Sequence, residues 1–270
     1  MTFDLLRPRI SLPIFCLFLI SCTKVNVVGP QGPAGPPGDT GYLSKGAIQG
    51  SVYLFDVYGN PLPSDSGATV SIDNTSPLLQ TITGINGGFT IPSVPSGTYD
   101  LTVAKQGFGT MRLLGFQNAG SASGTYAPQL KTAVIPQYTI KSASIDTLSV
   151  QGNPYSPVVP EIWAFLIVQV TDTAVLQFPV ITYFYDSANV SPTHYLYYNS
   201  YAYSKKNDST LWLGLEGSFS SSRLANAPYL YIMFAIDNPL SLSYVDENGT
   251  TIFPCEGSVS QVYKVYNNLK

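Results

Sequence analysis

The sequence predicts an all-β protein built from two β-sandwich domains, and three observations lead to this prediction. Only 11% of the 270 residues are charged, whereas glycine (23 residues), proline (21) and tyrosine (19) are abundant. Short runs rich in Val, Ile and Thr alternate apolar with polar residues, as strands with one buried face do. Turn signals containing Gly, Pro and Asn separate these runs. Short strands joined by frequent turns are typical of sandwiches and barrels.

Residues 1–21 have the features of an export signal. Arg7 and Arg9 provide a positive start, and the run ISLPIFCLFLI that follows has 11 residues, mostly apolar. A membrane-spanning helix needs ~20 apolar residues, so this run is too short to cross a bilayer. It ends in LISC at residues 19–22, which resembles a bacterial lipobox. The resemblance implies that Cys22 becomes the first mature residue and carries lipid. The alternative is an ordinary secretory leader followed by an unmodified cysteine.

The cysteine count predicts a fold without disulfides. The chain has three cysteines, of which Cys16 lies inside the leader. If Cys22 is acylated, Cys255 is left alone and no internal disulfide can form. We therefore expect packing alone to hold the fold together, and Cys255 to be a core or loop thiol without a nucleophilic role.

Residues 22–45 combine the lipidated Cys22 with a collagen-like spacer. Glycine occupies every third position from Gly29 to Gly41, which makes four triplets. This period is that of the collagen triple helix, but four triplets give three chains little contact to offset the entropy of association. An extended polyproline-like segment of twelve residues would reach ~37 Å. We expect a semi-rigid stalk beneath a monomeric head, and trimerisation through the stalk is the alternative.

Residues 46–133 are predicted to form the first sandwich. The segment ATVSI at 68–72 alternates apolar with polar residues, and YDLTVA at 99–104 does the same. Each alternation indicates a strand with one buried face. Asn86-Gly87-Gly88 tolerates the positive φ angles that a tight hairpin turn needs. The result is a set of short strands at the spacing of a sandwich.

The motifs of this domain resemble the carboxypeptidase regulatory-like family, a small transthyretin-like β-sandwich. They are a G-x-P turn, a G-A-x-V-x-I strand, a G-x-F strand and a G-x-Y-x-L-x-V strand followed by an aromatic residue. The matching positions are 59–61, 67–72, 87–89, 97–103 and 107–108. Hydrolases with a transthyretin-like fold use histidines and arginines, but this domain has no histidine and a single arginine, Arg112. No zinc ligands accompany it, so the resemblance implies a domain without catalysis.

Residues 136–270 are predicted to form a second sandwich, similar to immunoglobulin or fibronectin domains. Strands are expected at 138–150, 161–171, 176–186, 194–204, 210–217, 229–237 and 260–267. The strand at 161–171 is apolar on both faces and should lie inside a sheet. Pro179 donates no ladder hydrogen bond, which predicts an edge or a bulge for its strand. The segment DENG at 246–249 predicts a hairpin turn and lacks the alternating ligands of a calcium loop.

The order of these segments resembles that of lipoproteins from the Bacteroidota, which have a lipobox, a short collagen-like run, a regulatory-like domain and a further β domain. The likeness rests on Cys22, on the glycines at 29–41 and on the motifs of the first domain. It implies an outer-membrane lipoprotein whose head faces either the periplasm or the cell surface.

Tyrosines are the most informative side chains of the second domain, which holds 14 of the 19. In the run HYLYYNSYAYS, strand alternation places Tyr195, Tyr197, Tyr201 and Tyr203 on one face. If that face is exposed, the rings make a platform for a sugar ring or a peptide. The alternative is that the rings cover the sandwich core and only their hydroxyls meet water.

The sequence shows no pattern that carries catalysis, a cofactor or a metal. His194 is the only histidine, and G-x-S-x-G, H-E-x-x-H, C-x-x-C and phosphate-loop motifs are missing. The net charge of −3, without a basic stripe, argues against a nucleic-acid partner. A glycosidase with paired carboxylates on opposed strands is the remaining enzymatic alternative.

The sequence therefore favours a non-enzymatic envelope lipoprotein, held on the outer membrane by its lipid, whose head binds a glycan, a peptide or an envelope protein. Two alternatives remain. One is a structural surface or coat component whose stalk trimerises. The other is an accessory lipoprotein of a TonB-dependent uptake system, whose receptors often carry a similar regulatory-like domain.

Overall fold

Almost every regular element of the described chain is a β-strand, which confirms the predicted all-β fold. The structure, a computed structural model, describes residues 44–150, 159–169, 176–205, 210–215 and 222–267. Side chains are described except within 146–177 and 201–222. The predicted signal peptide, Cys22 and the collagen-like spacer lie outside the described residues. Among those residues, no helix is long and apolar enough to cross a membrane.

The first sandwich consists of two facing sheets. Its strands are β1 (Lys45–Phe55), β2 (Thr69–Ile72), β3 (Leu79–Ile82), β4 (Gly88–Pro95), β5 (Gly97–Ala104), β6 (Met111–Asn118), β7 (Thr125–Tyr126) and β8 (Leu130–Ala133). In one sheet, β1 pairs antiparallel with β4 and parallel with β7 and β8. The other sheet has the order β3-β2-β5-β6. Apolar side chains from both sheets, among them Leu54, Val70, Ile72 and Leu101, fill one buried core.

The turn predicted at residues 86–88 connects β3 to β4. Gly87 has a φ of 73°, in the region that favours glycine. Its N–H donates to the carbonyl of Gly84 at 2.9 Å, and its own carbonyl accepts from the N–H of Val52 at 2.9 Å. A Cβ at Gly87 would lie 2.0 Å from the carbonyl oxygen of Val52. Only glycine therefore lets this turn pack against β1.

The second sandwich also has two facing sheets. Its elements are β9 (Thr139–Val150), β10 (Val159–Gln169), β11 (Leu176–Tyr185), β12 (Tyr197–Lys205), β13 (Thr210–Leu215), α1 (Ser222–Asn226), β14 (Tyr229–Ile236), β15 (Tyr244–Val245), β16 (Thr251–Ile252) and β17 (Tyr263–Tyr266). β10 lies between β13 and β9, inside its sheet as predicted. The second sheet has the order β12-β11-β14-β17. β15 and β16 form a hairpin across the turn predicted at 246–249.

The edge or bulge predicted from Pro179 is wrong, because β11 lies inside its sheet between β12 and β14. The ladder between β11 and β14 begins at Val180, paired with Ile236. Pro179 lies just beyond that ladder, and its carbonyl accepts from the N–H of Asp237 at 3.0 Å. The N–H and C=O of a strand residue point to the same side. The side of Pro179 that lacks an N–H therefore faces β14 beyond its last residue, Ile236. The β11–β14 ladder loses no hydrogen bond there.

The four-stranded sheet of the second sandwich, β12-β11-β14-β17, is apolar on both faces. Its inner face packs against β9 through a buried cluster that includes Tyr138, Phe178, Val180 and Phe234. Its outer face carries a second cluster, built around Ile181, Tyr183, Met233 and Phe253. The segment between β14 and β17 covers part of this outer face, and there the candidate site lies.

Side chains of the segment that follows β14 connect the two sandwiches. The Nδ2 of Asn238 donates to the carbonyls of Asp56 (3.0 Å) and Val134 (3.1 Å) in the first sandwich. Arg112 of β6 forms an ion pair with Glu247 in the β15–β16 turn, at 2.5 Å. Cys255 is fully buried, and burial raises the pKa of its thiol to about 11. Both sandwiches belong to one compact unit, Leu43–Lys270.

Candidate functional site

A groove with a volume of about 480 Å³ lies between the start of β12 and the turn of the β15–β16 hairpin. Its lining residues are Tyr195, Leu196, Tyr197, Tyr198, Asn199, Ser200, Gly249, Thr250 and Thr251. Tyrosine rings, an amide and hydroxyls thus line a surface without any charged side chain. We call this surface the tyrosine groove.

The tyrosine rings on the outer-face side of the groove are fixed by their packing. The ring centroids of Tyr195 and Tyr183 lie 4.9 Å apart. Tyr198 meets Tyr195 edge-on at 5.6 Å and Phe253 edge-on at 5.1 Å. Edge-to-face contacts in this distance range are favourable for aromatic pairs. The groove therefore presents rings whose positions do not depend on a ligand.

A hydrogen bond closes the groove toward the hairpin. The hydroxyl of Tyr195 donates to the carbonyl of Thr251 at 2.5 Å. Burial raises the pKa of Tyr195 to about 12, so the hydroxyl stays protonated and remains a donor near neutral pH. The side chain of Tyr195 therefore ties the residues before β12 to strand β16.

The opposite wall of the groove is a turn held by Asp246. The carboxylate oxygen Oδ1 of Asp246 accepts from the N–H of Asn248 at 2.9 Å and from the N–H of Thr250 at 2.7 Å. These backbone hydrogen bonds lower the pKa of Asp246. Gly249, with a φ of 81°, completes the turn. The wall is therefore a tight, internally bonded turn that places Thr250 beside the tyrosines.

The structure does not place the four predicted tyrosines on one described face. Tyr195 packs into the outer-face cluster, whereas Tyr197 packs against the inner-face cluster, 5.8 Å from the ring of Phe184. Strand β12 begins only at Tyr197, so its alternation does not extend back to Tyr195. Tyr201 and Tyr203 pair through their backbones with Val180 and Phe178. Their side chains lie outside the described ones.

Sequence reasoning missed most of the groove. Tyr198 was expected on the face opposite Tyr197, but not as part of a site, and the hairpin was expected only as a turn. The groove forms because residues about 50 positions apart meet, Tyr198 from β12 and Thr250 from the hairpin. A local sequence pattern does not predict a contact between residues so far apart. The density of tyrosines was the only signal that pointed to this region.

His194 lies next to this region but not among the groove residues. It is exposed, its ring stacks 4.6 Å from that of Tyr185, and its backbone pairs with Ser191. Within the described residues, no group of three or more His, Cys, Asp and Glu side chains could hold a metal ion. The geometry around His194 is that of a surface ring contact.

Two carboxyl groups near the outer face of this sheet, those of Asp237 and Glu256, have raised pKa values. Burial raises the pKa of Asp237 to about 7. Burial, together with the charge of Asp237, raises the pKa of Glu256 to about 8, although Glu256 accepts a hydrogen bond from the Tyr183 hydroxyl. Neither carboxyl oxygen of Asp237 has a hydrogen-bond partner in the described structure. Asp237 is fully buried, and neither of the two carboxyl groups lines the tyrosine groove.

The first sandwich matches a known family. The model of the carboxypeptidase regulatory-like domain matches residues 47–131. This chain carries a carboxypeptidase regulatory-like domain. The match covers the first sandwich, as the motifs predicted, and does not extend to the tyrosine groove.

Several solved structures are similar to the chain at low identity. A DUF3823 family protein from Bacteroides ovatus has 14% identity and a TM-score of 0.33 over 83% of this chain and 100% of that one. A DUF3823 family protein from Parabacteroides merdae has 11% identity and a TM-score of 0.32 over 82% and 98%. A candidate carbohydrate binding protein from Bacteroides uniformis has 15% identity and a TM-score of 0.31 over 82% and 98%. No curated protein matches the sequence. Likenesses at these TM-scores carry no argument about function.

Proposed function

We propose that the chain is a non-enzymatic envelope lipoprotein whose head binds a glycan in the tyrosine groove. The observation that carries the proposal is the composition of the groove, in which fixed tyrosine rings stand beside an amide and several hydroxyls, with no charged side chain. Its volume of about 480 Å³ lies in the range of small-molecule sites, roughly 300–1,000 Å³.

A neutral sugar is the ligand class that this composition fits best. A sugar ring has apolar C–H faces that pack on aromatic rings, and hydroxyls that exchange hydrogen bonds with amides and other hydroxyls. Asn199, Ser200 and Thr250 supply such polar groups at the rim of the rings. A charged ligand would need a counter-charge, which the groove lacks. A peptide or an envelope protein remains the alternative ligand, because β12 is the outermost strand of its sheet and could pair with an extended chain.

The position in the cell is the second part of the proposal. The lipobox-like run at residues 19–22, the short apolar leader and the Gly-rich spacer support an outer-membrane lipoprotein anchored through Cys22. One acyl chain gives only marginal membrane binding, whereas two or more anchor stably. The spacer would hold the groove away from the membrane surface, within reach of polymeric glycans.

A glycan array tests the proposal. The full-length chain should bind one or more neutral oligosaccharides, and Tyr198→Ala should lower the affinity at least ~10-fold through lost stacking. Ser200→Arg, which adds bulk to the groove without removing packing, should do the same. The matched controls are Tyr126→Ala, at a tyrosine that is 71% exposed in the first sandwich, and Ser142→Arg on β9. Both controls should bind like the unmodified chain.

Three results would redirect the proposal. Binding that survives both groove variants would place the ligand elsewhere. Binding of peptides instead of glycans, blocked by Ser200→Arg, would assign the groove to strand pairing. Failure to bind any glycan, with co-purification of an outer-membrane barrel, would support the accessory role in TonB-dependent uptake.

A further inference from the structure

Beyond the tyrosine groove, a second group of tyrosines lies at the far edge of the outer face. Tyr229 and Tyr231 belong to β14, and Lys264 and Tyr266 belong to β17. We call these four residues the tyrosine–lysine strip. None of them lines the groove, and none was singled out from the sequence.

The strip is open to solvent. Tyr266 is 64% exposed and Tyr229 is 40% exposed, although their rings meet edge-on with centroids 5.8 Å apart. Despite this contact, much of each ring stays in contact with solvent. Tyrosines that present an apolar ring with a polar tip are typical of binding surfaces.

Lys264 lies among these rings. Its ammonium is 4.1 Å from the ring centroid of Tyr229 and 5.9 Å from that of Tyr231, both within the range of cation–π attraction. The pairing of β14 with β17 sets Tyr231 opposite Lys264 and Tyr229 opposite Tyr266. The ammonium is therefore attracted to the ring faces while the side chain stays exposed to solvent.

The charge of Lys264 is not neutralised by the described part of the protein. No described carboxylate lies within 4.0 Å of its ammonium, whereas Arg223, the cation stacked on nearby Tyr185, is paired with Asp186. The three hydrogen-bond donors of an ammonium can thus meet an external anion. Rings plus one available cation fit a ligand that combines a ring face with a negative charge.

The strip and the groove lie on one sheet. Tyr198 of β12 pairs with Tyr183 of β11, which pairs with Met233 of β14. Tyr185 and Tyr231, paired on the same face two residues further along, continue the row of rings toward Lys264. With strands ~4.8 Å apart, β12 and β17 are separated by ~14 Å, about the length of three sugar units. The groove and the strip therefore lie within the length of a short oligosaccharide on the same sheet.

From this geometry we infer that the tyrosine–lysine strip is a subsite for an acidic sugar, one whose ring carries a carboxylate. The ring stacks on Tyr229 or Tyr266, and its carboxylate accepts hydrogen bonds from Lys264. This inference rests on the proposed glycan binding and extends it, because the groove holds neutral units while the strip selects a uronic acid in the same chain.

Affinity electrophoresis of the full-length chain in gels containing uronic-acid polysaccharides tests the subsite. The probes are polygalacturonate, alginate and hyaluronan, each compared with its carboxyl-reduced form. At least one acidic polymer should retard the chain, and its reduced form should bind about 10-fold more weakly, since a hydrogen bond to a charged group is worth about that factor. Lys264→Gln should cause the same loss and Lys264→Arg should retain binding, while Lys131→Gln on β8 is the matched control.

The outcomes separate the subsite from the groove. Equal retardation by the acidic and reduced polymers, no retardation by any acidic polymer, or an unchanged affinity of Lys264→Gln would overturn the subsite. If Ser200→Arg still abolishes binding of neutral glycans in that case, the groove stands and the strip alone is lost. If Lys264→Gln weakens acidic binding while Ser200→Arg changes nothing, the groove is contradicted and the strip survives as a separate site.

Discussion

At the scale of single residues, the least expected feature is the carboxyl pair of Asp237, which is fully buried, and Glu256, which is half-buried. Burying a carboxylate without good partners is costly, and the protein avoids the cost by keeping a proton on the group. The sequence could not show this pair, because Asp237 directly follows β14 whereas Glu256 lies beyond the β15–β16 hairpin.

The pair predicts a stability that falls as the pH rises. The folded-state pKa values of about 7 and about 8 lie above the ordinary 3.8 and 4.5. Between these limits the folded chain binds more protons than the unfolded chain, so the pair's contribution to the free energy of unfolding is full below about pH 4, falls as the pH rises and is gone above about pH 8. Asp237 alone should account for a loss on the order of 4 kcal/mol.

Urea denaturation at pH 5, 7 and 9 measures this dependence. Asp237→Asn and Glu256→Gln keep the shape of the side chain while removing the ionisation, and each should flatten the curve. A free energy of unfolding that is the same at pH 5 and pH 9 in the unmodified chain would show that the pair is ionised or hydrated in the folded state.

At the scale of elements, the β15–β16 hairpin and its flanking segment both line the tyrosine groove and contact the first sandwich. One side of the hairpin forms the wall of the tyrosine groove, and Glu247 in its turn contacts Arg112 of the first sandwich. Asn238, just before it, has both functions of its amide occupied, since its Oδ1 accepts from the N–H of Leu240 at 3.1 Å. The groove therefore depends on the junction between the sandwiches.

Asn238→Ala should destabilise the whole head. The change removes the two hydrogen bonds that the Asn238 amide donates to the carbonyls of Asp56 and Val134, and each such bond contributes roughly 0.5–1.5 kcal/mol. Asn248→Ala, in the exposed hairpin turn, is the matched control and should have little effect. Thermal unfolding should show a single transition that shifts only for Asn238→Ala. Two separate transitions in the unmodified chain would instead mean that the sandwiches unfold independently.

The strands were largely predictable and their contacts were not. β9 at Thr139–Val150 and β11 at Leu176–Tyr185 fall within a residue or two of the expected spans, because alternation and turn residues act locally. The strand expected from 194 begins at Tyr197, since the backbone bridge between Ser191 and His194 forms a turn there. The prediction for Pro179 was wrong because β14 ends at Ile236, the residue paired with Val180. Pro179 therefore has no ladder partner on that side. The second error concerns a neighbour that is distant in sequence, because β14 lies more than 40 residues after Pro179.

At the scale of the whole molecule, we propose a lipid-anchored protein whose head carries the tyrosine groove and the tyrosine–lysine strip. The carboxypeptidase regulatory-like domain at residues 47–131 was recognisable from its motifs, since glycines and alternating apolar residues define it. The second sandwich has no such motif, and its surface had to be read from the structure. The lipid anchor is predicted from the lipobox-like run at residues 19–22.

Cys22→Ala should release the protein from membranes. Without the thiol no lipid can be attached, so the chain should appear in the soluble periplasmic fraction or retain its leader. Fractionation of cells with acyl labelling measures this, and Cys16→Ala, inside the leader, is the matched control that should behave like the unmodified chain. Unchanged membrane association and labelling of Cys22→Ala would contradict the anchor.

Calorimetric titration of the full-length chain with an oligosaccharide selected on the array measures glycan binding in the tyrosine groove. The account predicts saturable binding at one site per chain, weakened at least ~10-fold in Ser200→Arg and unchanged in Ser142→Arg, with both variants unfolding at the temperature of the unmodified chain. Equal affinities for the unmodified chain and Ser200→Arg would contradict the assignment of the tyrosine groove as the glycan site.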